Sequence, residues 1–419
     1  MSTFKRACAL FVGCAAVAPL LGGLPDGHRG AAYIALHVAM SVVMLAATWA
    51  FRSADMEERR LLLTAAVLAR VVAATSAPYT SNDVHRYVWD GHLLIAGGDP
   101  WSTSPSEVSV TDWPRPPDNL EIASLYPPGA MLLFSVAAAA GPRWSESVWK
   151  LLVTIAGVLV VLVVARTLQG TAQVRWLPLV ALSPLLVLEA SVGAHLDLVV
   201  ALAVSAVFLA ARSRHFILAG AFIGAGALVK FTPLVLLLPL ALSSGWRAGV
   251  RATGSALAVV AVGYAIPSAL GLEPLGSLVR FVTSWRFGTP VALVDRLVGP
   301  PATSVAAAVL GGALLLACAW CALRRGFLSA APWALMAPLI ASPVAFPWYL
   351  APTATAAAQG PSVLALVWLT LSPLTYEVID SYRLTGRFEA ATWPLVVVSA
   401  GMMVGALVDL RRALRGSAT

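Results

Sequence analysis

An all-α polytopic membrane protein is the fold class this chain predicts, and three observations predict it. Hydrophobic residues make up 59% of the 419 and charged residues 11%. A soluble domain carries about 25% charged residues, so this chain lacks the charge to cover a water-facing surface. Apolar runs near the span length of roughly 20 residues recur throughout, and the mean hydropathy is +0.82. Short basic clusters separate those runs, the pattern that orients helices in a bilayer. The net charge of +8 sits in these clusters, so it marks orientation and gives no reason to expect nucleic acid. Continuous Leu, Ala and Val runs also lack the short alternating segments of a β-barrel. One integral membrane domain is expected over residues 1–419.

The runs fall in three groups. The first holds 7–23, 32–51 and 61–76, followed by a long polar segment over 77–125. The second holds 148–166, 176–190, 197–212, 216–229, 231–244 and 252–271. The last holds 303–322, 328–343, 347–359, 361–376 and 391–410, so a bundle of about 13 transmembrane helices is expected. Met1 to Arg6 with the run to Leu24 resembles a secretory signal, but a span follows at once, so an uncleaved first helix is expected.

With Lys5 and Arg6 on the cytoplasmic side, the later basic loops fall on that side too: Arg52, Arg59 and Arg60; Arg166 and Arg175; Arg212 and Arg214. Arg247 and Arg251, Arg324 and Arg325, and Arg411, Arg412 and Arg415 obey the same frame. Segments 77–147, 272–302 and 377–390 then face away from the cytoplasm. The frame requires Pro127 to Gly141 not to cross; Pro127-Pro128 before it and Gly141-Pro142 after it mark a half-helix in the outer leaflet. Runs 216–229 and 231–244 are short, so a broken pair near Lys230 is expected. Cys318 and Cys321 form C-x-x-C inside an apolar helix with no further ligands nearby, and read as packing residues.

The chemistry-bearing residues lie in the outer segments. Residues 80 to 91 read Thr-Ser-Asn-Asp-Val-His-Arg-Tyr-Val-Trp-Asp-Gly, an acid-bearing stretch just beyond a span. Asp83 and Asp90 stand two helical turns apart on one face, with Arg86 placed to pair with Asp83 and with His85 and Tyr87 as further donors. Asp83, nearest the preceding span, is the candidate general base; a structural salt bridge is the plainer reading, and Asp90 could serve as a cap. The prolines and tryptophans that follow suggest a lid packed on the membrane rim. Arg70, within a span, either faces a cavity or partner or snorkels to the headgroups.

A second cluster, Glu189, His195 and Asp197, sits at an outer junction of two spans. It could bind sugar hydroxyls, assist a leaving group or, as a donor set, accept a divalent cation; ordinary capping is the alternative. No other cofactor is indicated. Lys230, with Arg280 and Arg286 in the next outer segment, offers positive charge for a phosphate arriving from the lipid phase. Trp348 and Tyr349, at another outer helix end, suit stacking on a sugar or an isoprenoid, or plain interfacial anchoring. There is no G-x-x-x-x-G-K-[ST] loop, so an energised donor on the outer side would have to be lipid-linked.

The string Ser81-Asn-Asp-Val-His-Arg-Tyr-Val-Trp-Asp-Gly91 with Ala96-Gly-Gly-Asp-Pro100 resembles the first outer loop of bacterial GT-C glycosyltransferases, notably polyprenyl-phosphate-mannose-dependent mannosyltransferases. Leu125-Tyr-Pro-Pro128, Gly193-Ala-His-Leu-Asp197, Lys230-Phe-Thr-Pro233 and Ser342-Pro-Val-Ala-Phe-Pro-Trp-Tyr349 recur in that order in such proteins, so the resemblance runs from about Arg70 to Tyr349. It implies a GT-C-type bundle in the bacterial plasma membrane, with a long first extracytoplasmic loop carrying juxtamembrane helices. It also implies a polyprenyl-phosphate sugar donor, mannose foremost, and a glycolipid or glycan acceptor. The family's loop acid maps to Asp83 as base of an inverting transfer, its histidine and acid to His195 and Asp197, and its lysine to Lys230. Many members carry two adjacent acids where this chain has Asn82-Asp83, and many begin near the span of Arg70, which two spans precede here. The rival class is a transporter or flippase of a lipid-linked sugar or small solute, which would use the same intramembrane charges.

Overall fold

The computed structural model describes residues 1–52, 55–108, 117, 120–276, 287–388 and 390–415. Among these residues the regular structure is helical, and the sole sheet-like feature is an isolated bridge between Phe287 and Val344. Three helices open the chain: α1 (Thr3–Leu21), α2 (Arg29–Ala50) and α3 (Met56–Ala73). The first outer segment forms α4 (Asp83–Ile95) and α5 (Pro128–Ala138). Next come α6 (Ser145–Leu168), α7 (Pro178–Ala181), α8 (Pro184–Ser191), α9 (Asp197–Arg212), α10 (Phe216–Ala227), α11 (Leu237–Ser244) and α12 (Trp246–Ala269). The C-terminal part holds α13 (Pro290–Val298), α14 (Pro300–Arg325), α15 (Phe327–Ala341), α16 (Ala351–Ala357), α17 (Val363–Leu371), α18 (Val378–Thr385) and α19 (Thr392–Arg415).

Seven described stretches are long and apolar enough to cross a membrane unaided: α1, α2, α6, α12, α14, α19 and the Val363–Thr385 stretch that contains α17 and α18. An eighth is broken, with Ala172–Ala181 and Pro184–Ser191 meeting at 41°. Each apolar run expected from the sequence coincides with a helix or a helix pair, but shorter apolar helices such as α10 and α15 supply several of them. Proline accounts for many of the breaks. It cannot donate a helical hydrogen bond and is tolerated in the first turn, and α5, α7, α8 and α16 all restart with a proline there. Ser183 caps α8 by accepting from Leu186 N–H at 3.4 Å.

The break expected near Lys230 is present: α10 ends at Ala227, and a short 3-10 turn over Thr232–Leu236 leads into α11. Helix α5 has 11 residues, about 16 Å at the usual rise, too short to span a bilayer core of about 30 Å. It packs on α4, and its Ala130 N–H reaches Leu228 O at 3.0 Å at the end of α10. The expected half-helix, too short to cross, is therefore present.

The described parts of the three expected outer segments gather on one face of the bundle. Arg383 donates to Tyr79 O at 3.0 Å, Glu273 N–H to Asp99 Oδ2 at 3.0 Å, and Arg296 to Ala390 O. The Asp380 carboxylate ties α18 to the start of α2 through Gly30 N–H at 2.8 Å and Ala31 N–H at 3.1 Å. At the other face Lys5 pairs with Glu57 at 2.5 Å, and Asp409 of α19 accepts from Val363 and Leu364 N–H at 3.0 Å to cap α17. Buried side chains run continuously between these two faces.

Close helix approach depends on glycine where α10 crosses α12. A Cβ on Gly220 would lie 2.1 Å from Ala252 O, and one on Gly224 would lie 2.7 Å from Ala256 O. Small residues four apart permit this in lipid, where packing replaces the hydrophobic drive between helices. Gly220→Val should therefore force the helices apart and cost about 1–3 kcal/mol. Gly254→Val on α12, with nothing within 4 Å of the added Cβ, should be neutral. Thermal unfolding of both variants in one detergent checks the pair.

Candidate active site

The site is assembled where α4, the α8–α9 junction, the α10 break and residues 346–349 and 376 meet. Asp83 opens α4, where a carboxylate gains from the helix N-terminal field. It is half-buried; its N–H donates to Ser81 Oγ at 3.3 Å and its Oδ2 accepts from Tyr87 O–H at 3.4 Å. Tyr87 is fixed in turn by an aromatic nest, with Phe134 of α5 stacked at 4.8 Å and Trp149 of α6 edge-on at 5.2 Å. The half-helix α5 thus fixes the tyrosine that donates to Asp83.

The α8–α9 junction brings Glu189, His195 and Asp197 together by an unusual turn. Ala194 has φ of 50°, a left-handed backbone that costs a residue with a Cβ roughly 1–2 kcal/mol. The Trp149 indole N–H holds its carbonyl at 2.9 Å, and His195 N–H returns to Glu189 O at 2.9 Å. Gly193 is required beside it, since a Cβ there would lie 2.7 Å from Glu189 Oε2 and 2.9 Å from the His195 ring.

Glu189 is wholly buried, and its Oε1 accepts from Tyr33 O–H of α2 at 3.3 Å and from Tyr376 O–H. Its Oε2 lies 3.6 Å from His195 Nε2, and that nitrogen is 3.3 Å from Ser81 Oγ. The His195 ring rests against Trp348 with centroids 3.8 Å apart. A polar chain therefore runs from Tyr33 and Tyr376 through Glu189, His195 and Ser81 to the backbone of Asp83.

Asp197 opens α9 and accepts from Lys230 Nζ at 2.7 Å. Lys230 stands in the α10 break with its side chain 28% exposed, and its ammonium lies 3.3 Å from the Tyr349 ring centroid. Asp83 and Asp197 both act electrostatically on Tyr349 and on Tyr87. Tyr349 thus sits against the Lys230 ammonium within the field of both carboxylates, and the lysine is partly exposed.

The remaining candidates sort differently. Arg86 turns away from Asp83 and bridges to Asp90, Nε to Oδ1 at 2.9 Å, while its Nη1 donates to Ile122 O at 2.7 Å. The expected i+3 pair with Asp83 gives way to an i+4 pair because Asp90, 1% exposed, has the greater need of a counter-charge. Arg70 neither snorkels nor reaches this site: it is wholly buried and donates to Ala66 O at 2.9 Å and Ala181 O at 3.0 Å, at the break between α7 and α8. Trp348 is 6% exposed and packed between His195 and Phe346, which makes it a wall for the histidine. Arg280 and Arg286 lie outside the described residues. Among the described residues, no three His, Cys, Asp or Glu side chains are placed to hold a metal ion.

Sequence reasoning did not assign roles to Tyr33, Tyr376 or Glu146. Glu146 accepts from, or pairs with, His85 Nδ1 at 2.8 Å and so ties α4 to α6. A buried carboxylate at Glu189 was the available signal for the tyrosines, since it must find donors within the protein.

Burial pushes the Asp90 carboxyl above its ordinary range, opposed by Arg86 and by Ser124. A carboxyl raised in the folded state stabilises most at low pH, and that contribution fades as pH rises through the raised value. Arg86→Ala should raise it further and strand a buried charge, at a cost of about 3–5 kcal/mol at neutral pH. Thermal midpoints of the variant and wild type should differ less at pH 5 than at pH 7.5.

A profile of the family described as "Alpha-(1->6)-mannopyranosyltransferase, N-terminal domain" matches residues 7–245, more than half of the chain. The matched region contains Asp83, Glu189, His195, Asp197 and Lys230. No curated protein and no solved structure matches the chain.

Proposed function

The chain belongs to the alpha-(1->6)-mannopyranosyltransferase family, and from that premise we propose that this multi-pass membrane glycosyltransferase moves mannose from a polyprenyl-phosphate donor to a glycolipid or glycan hydroxyl. The observation that supports the reading is a half-buried carboxylate, Asp83, and an ammonium, Lys230, held by a second carboxylate, Asp197, around the shared side chain of Tyr349. An inverting transfer from a lipid phosphate needs those two things, a base for the acceptor and a cation for the departing phosphate.

In this mechanism Asp83 takes the proton of the acceptor hydroxyl as its oxygen attacks the anomeric carbon. The bond from that carbon to the phosphate oxygen breaks, and the electron pair leaves with the polyprenyl phosphate. Lys230 meets the developing charge on that oxygen, its tether to Asp197 sparing it reorganisation during the reaction. His195, braced by Glu189 and Trp348, lines the same side and is assigned to hold sugar or phosphate oxygens. Attack opposite the leaving group inverts the centre, so a β-linked donor yields an α-linked product. The face on which the outer segments gather is read as extracytoplasmic, because the basic loops lie at the other.

Membranes carrying the wild type should transfer label from radiolabelled polyprenyl-phosphate-mannose to a glycolipid or glycan. Asp83→Asn should lower that rate by about a thousandfold or more while leaving the thermal midpoint unchanged. Lys230→Gln should lower it by about 100-fold, mostly in kcat. Near wild-type transfer by Asp83→Asn would remove Asp83 from the mechanism, and transfer only from a different lipid-phosphate sugar would replace the mannose.

A further inference from the structure

At the face opposite Asp83, two adjoining cavities of about 160 and 200 Å³ open among helix ends. Gln173, Ser329 and Gln359 line both; Arg212 and Arg325 line the first and Arg175 the second. No Asp or Glu lines either one. Asp409, which shares the neighbourhood of Cys321 with Arg325, has its oxygens occupied by Ser362 Oγ at 2.7 Å and by the α17 N–H groups. Arg212, Arg325 and Arg175 make no ion pair among the described residues.

The floor is built closely. A Cβ on Gly360 would lie 2.7 Å from Ser329 Cα, so the 359–361 turn presses directly against the start of α15. Gln359 is 4% exposed, and among the described residues neither its Oε1 nor its Nε2 has a hydrogen-bond partner. Buried amides are otherwise nearly always satisfied, so the open donor and acceptor of Gln359 point to a missing polar ligand, and the exposed Arg212 and Arg325 beside it favour an anion. The ligand must be anionic, small enough for the cavity and able to reach helix ends at the membrane surface.

We propose that these cavities bind the phosphate of an anionic glycerophospholipid from the leaflet at the basic face. Arg212 and Arg325 take its charge, Gln359 Nε2–H donates to a phosphate oxygen, and Gln359 Oε1 accepts from a headgroup hydroxyl. This goes beyond diffuse attraction of basic loops to acidic lipid, because it requires one neutral, buried side chain. The site does not depend on the transfer reaction.

The test is the thermal unfolding midpoint of the full-length protein in a neutral detergent, titrated with short-chain phosphatidylglycerol, short-chain phosphatidylcholine or inorganic phosphate. Phosphatidylglycerol should raise the wild-type midpoint saturably and phosphatidylcholine should not. Arg212→Gln combined with Arg325→Gln should weaken half-saturation by about tenfold or more. Gln359→Leu, which keeps the size and loses the amide, should weaken it too and decides the matter if the arginine variant does not fold. An equal, variant-sensitive shift with inorganic phosphate supports the phosphate site and assigns it to a soluble ligand. No shift with either ligand, or the same shift in wild type and variants, overturns the proposal.

Discussion

A carboxylate that cannot reach water must be held by hydroxyls from elsewhere in the chain, and Glu189 is held by two. Tyr33 comes from α2 and Tyr376 from a segment 187 residues further on, so one buried acid joins the start, middle and end of the sequence. In a low-dielectric interior an unmet carboxylate costs far more than an ordinary packing defect. The need to meet it sets where α2, α8 and the Val363–Thr385 stretch stand relative to one another. The free oxygen of Glu189 then faces His195, and the histidine's other contacts, Ser81 and Trp348, follow.

The same rule shapes the rest of the polar seam. Lys230 could stand in an apolar stretch only because the chain breaks there and Asp197 opens a helix opposite it. Among the described residues Arg70 has no carboxylate partner; it uses two carbonyl oxygens, one of them at the broken span. Broken helices expose backbone groups that a bilayer would not satisfy, and they are tolerated where protein surrounds them. Here the breaks and the buried charges occur together because each supplies what the other lacks.

That coupling also decides what could be read from the sequence. Apolar runs and basic clusters located the helices, the half-helix α5 and the break near Lys230, because those features depend on local composition and on proline. The gathering of residues 77–147 with 377–390 followed from loop charge, and Arg383 donating to Tyr79 O bears it out. Partner choice was less legible. Arg86 is three residues from Asp83 and four from Asp90, and helical spacing permits either pair; burial of Asp90 selects the second. Tyr33 lies within an ordinary apolar span, and nothing near it in sequence announces a carboxylate 156 residues away.

The arrangement bears on which acid could act as a base. Asp90 is paired with Arg86, Asp197 with Lys230, and Glu189 is enclosed by two phenols and a histidine. Asp83 opens a helix and accepts from a phenol at 3.4 Å, and it is half-buried where the other three are enclosed. Asp197 acts on the same tyrosines as Asp83, Tyr349 and Tyr87, and like charges at close range disfavour ionisation of their neighbours. Lys230 offsets part of that repulsion while it stays with Asp197.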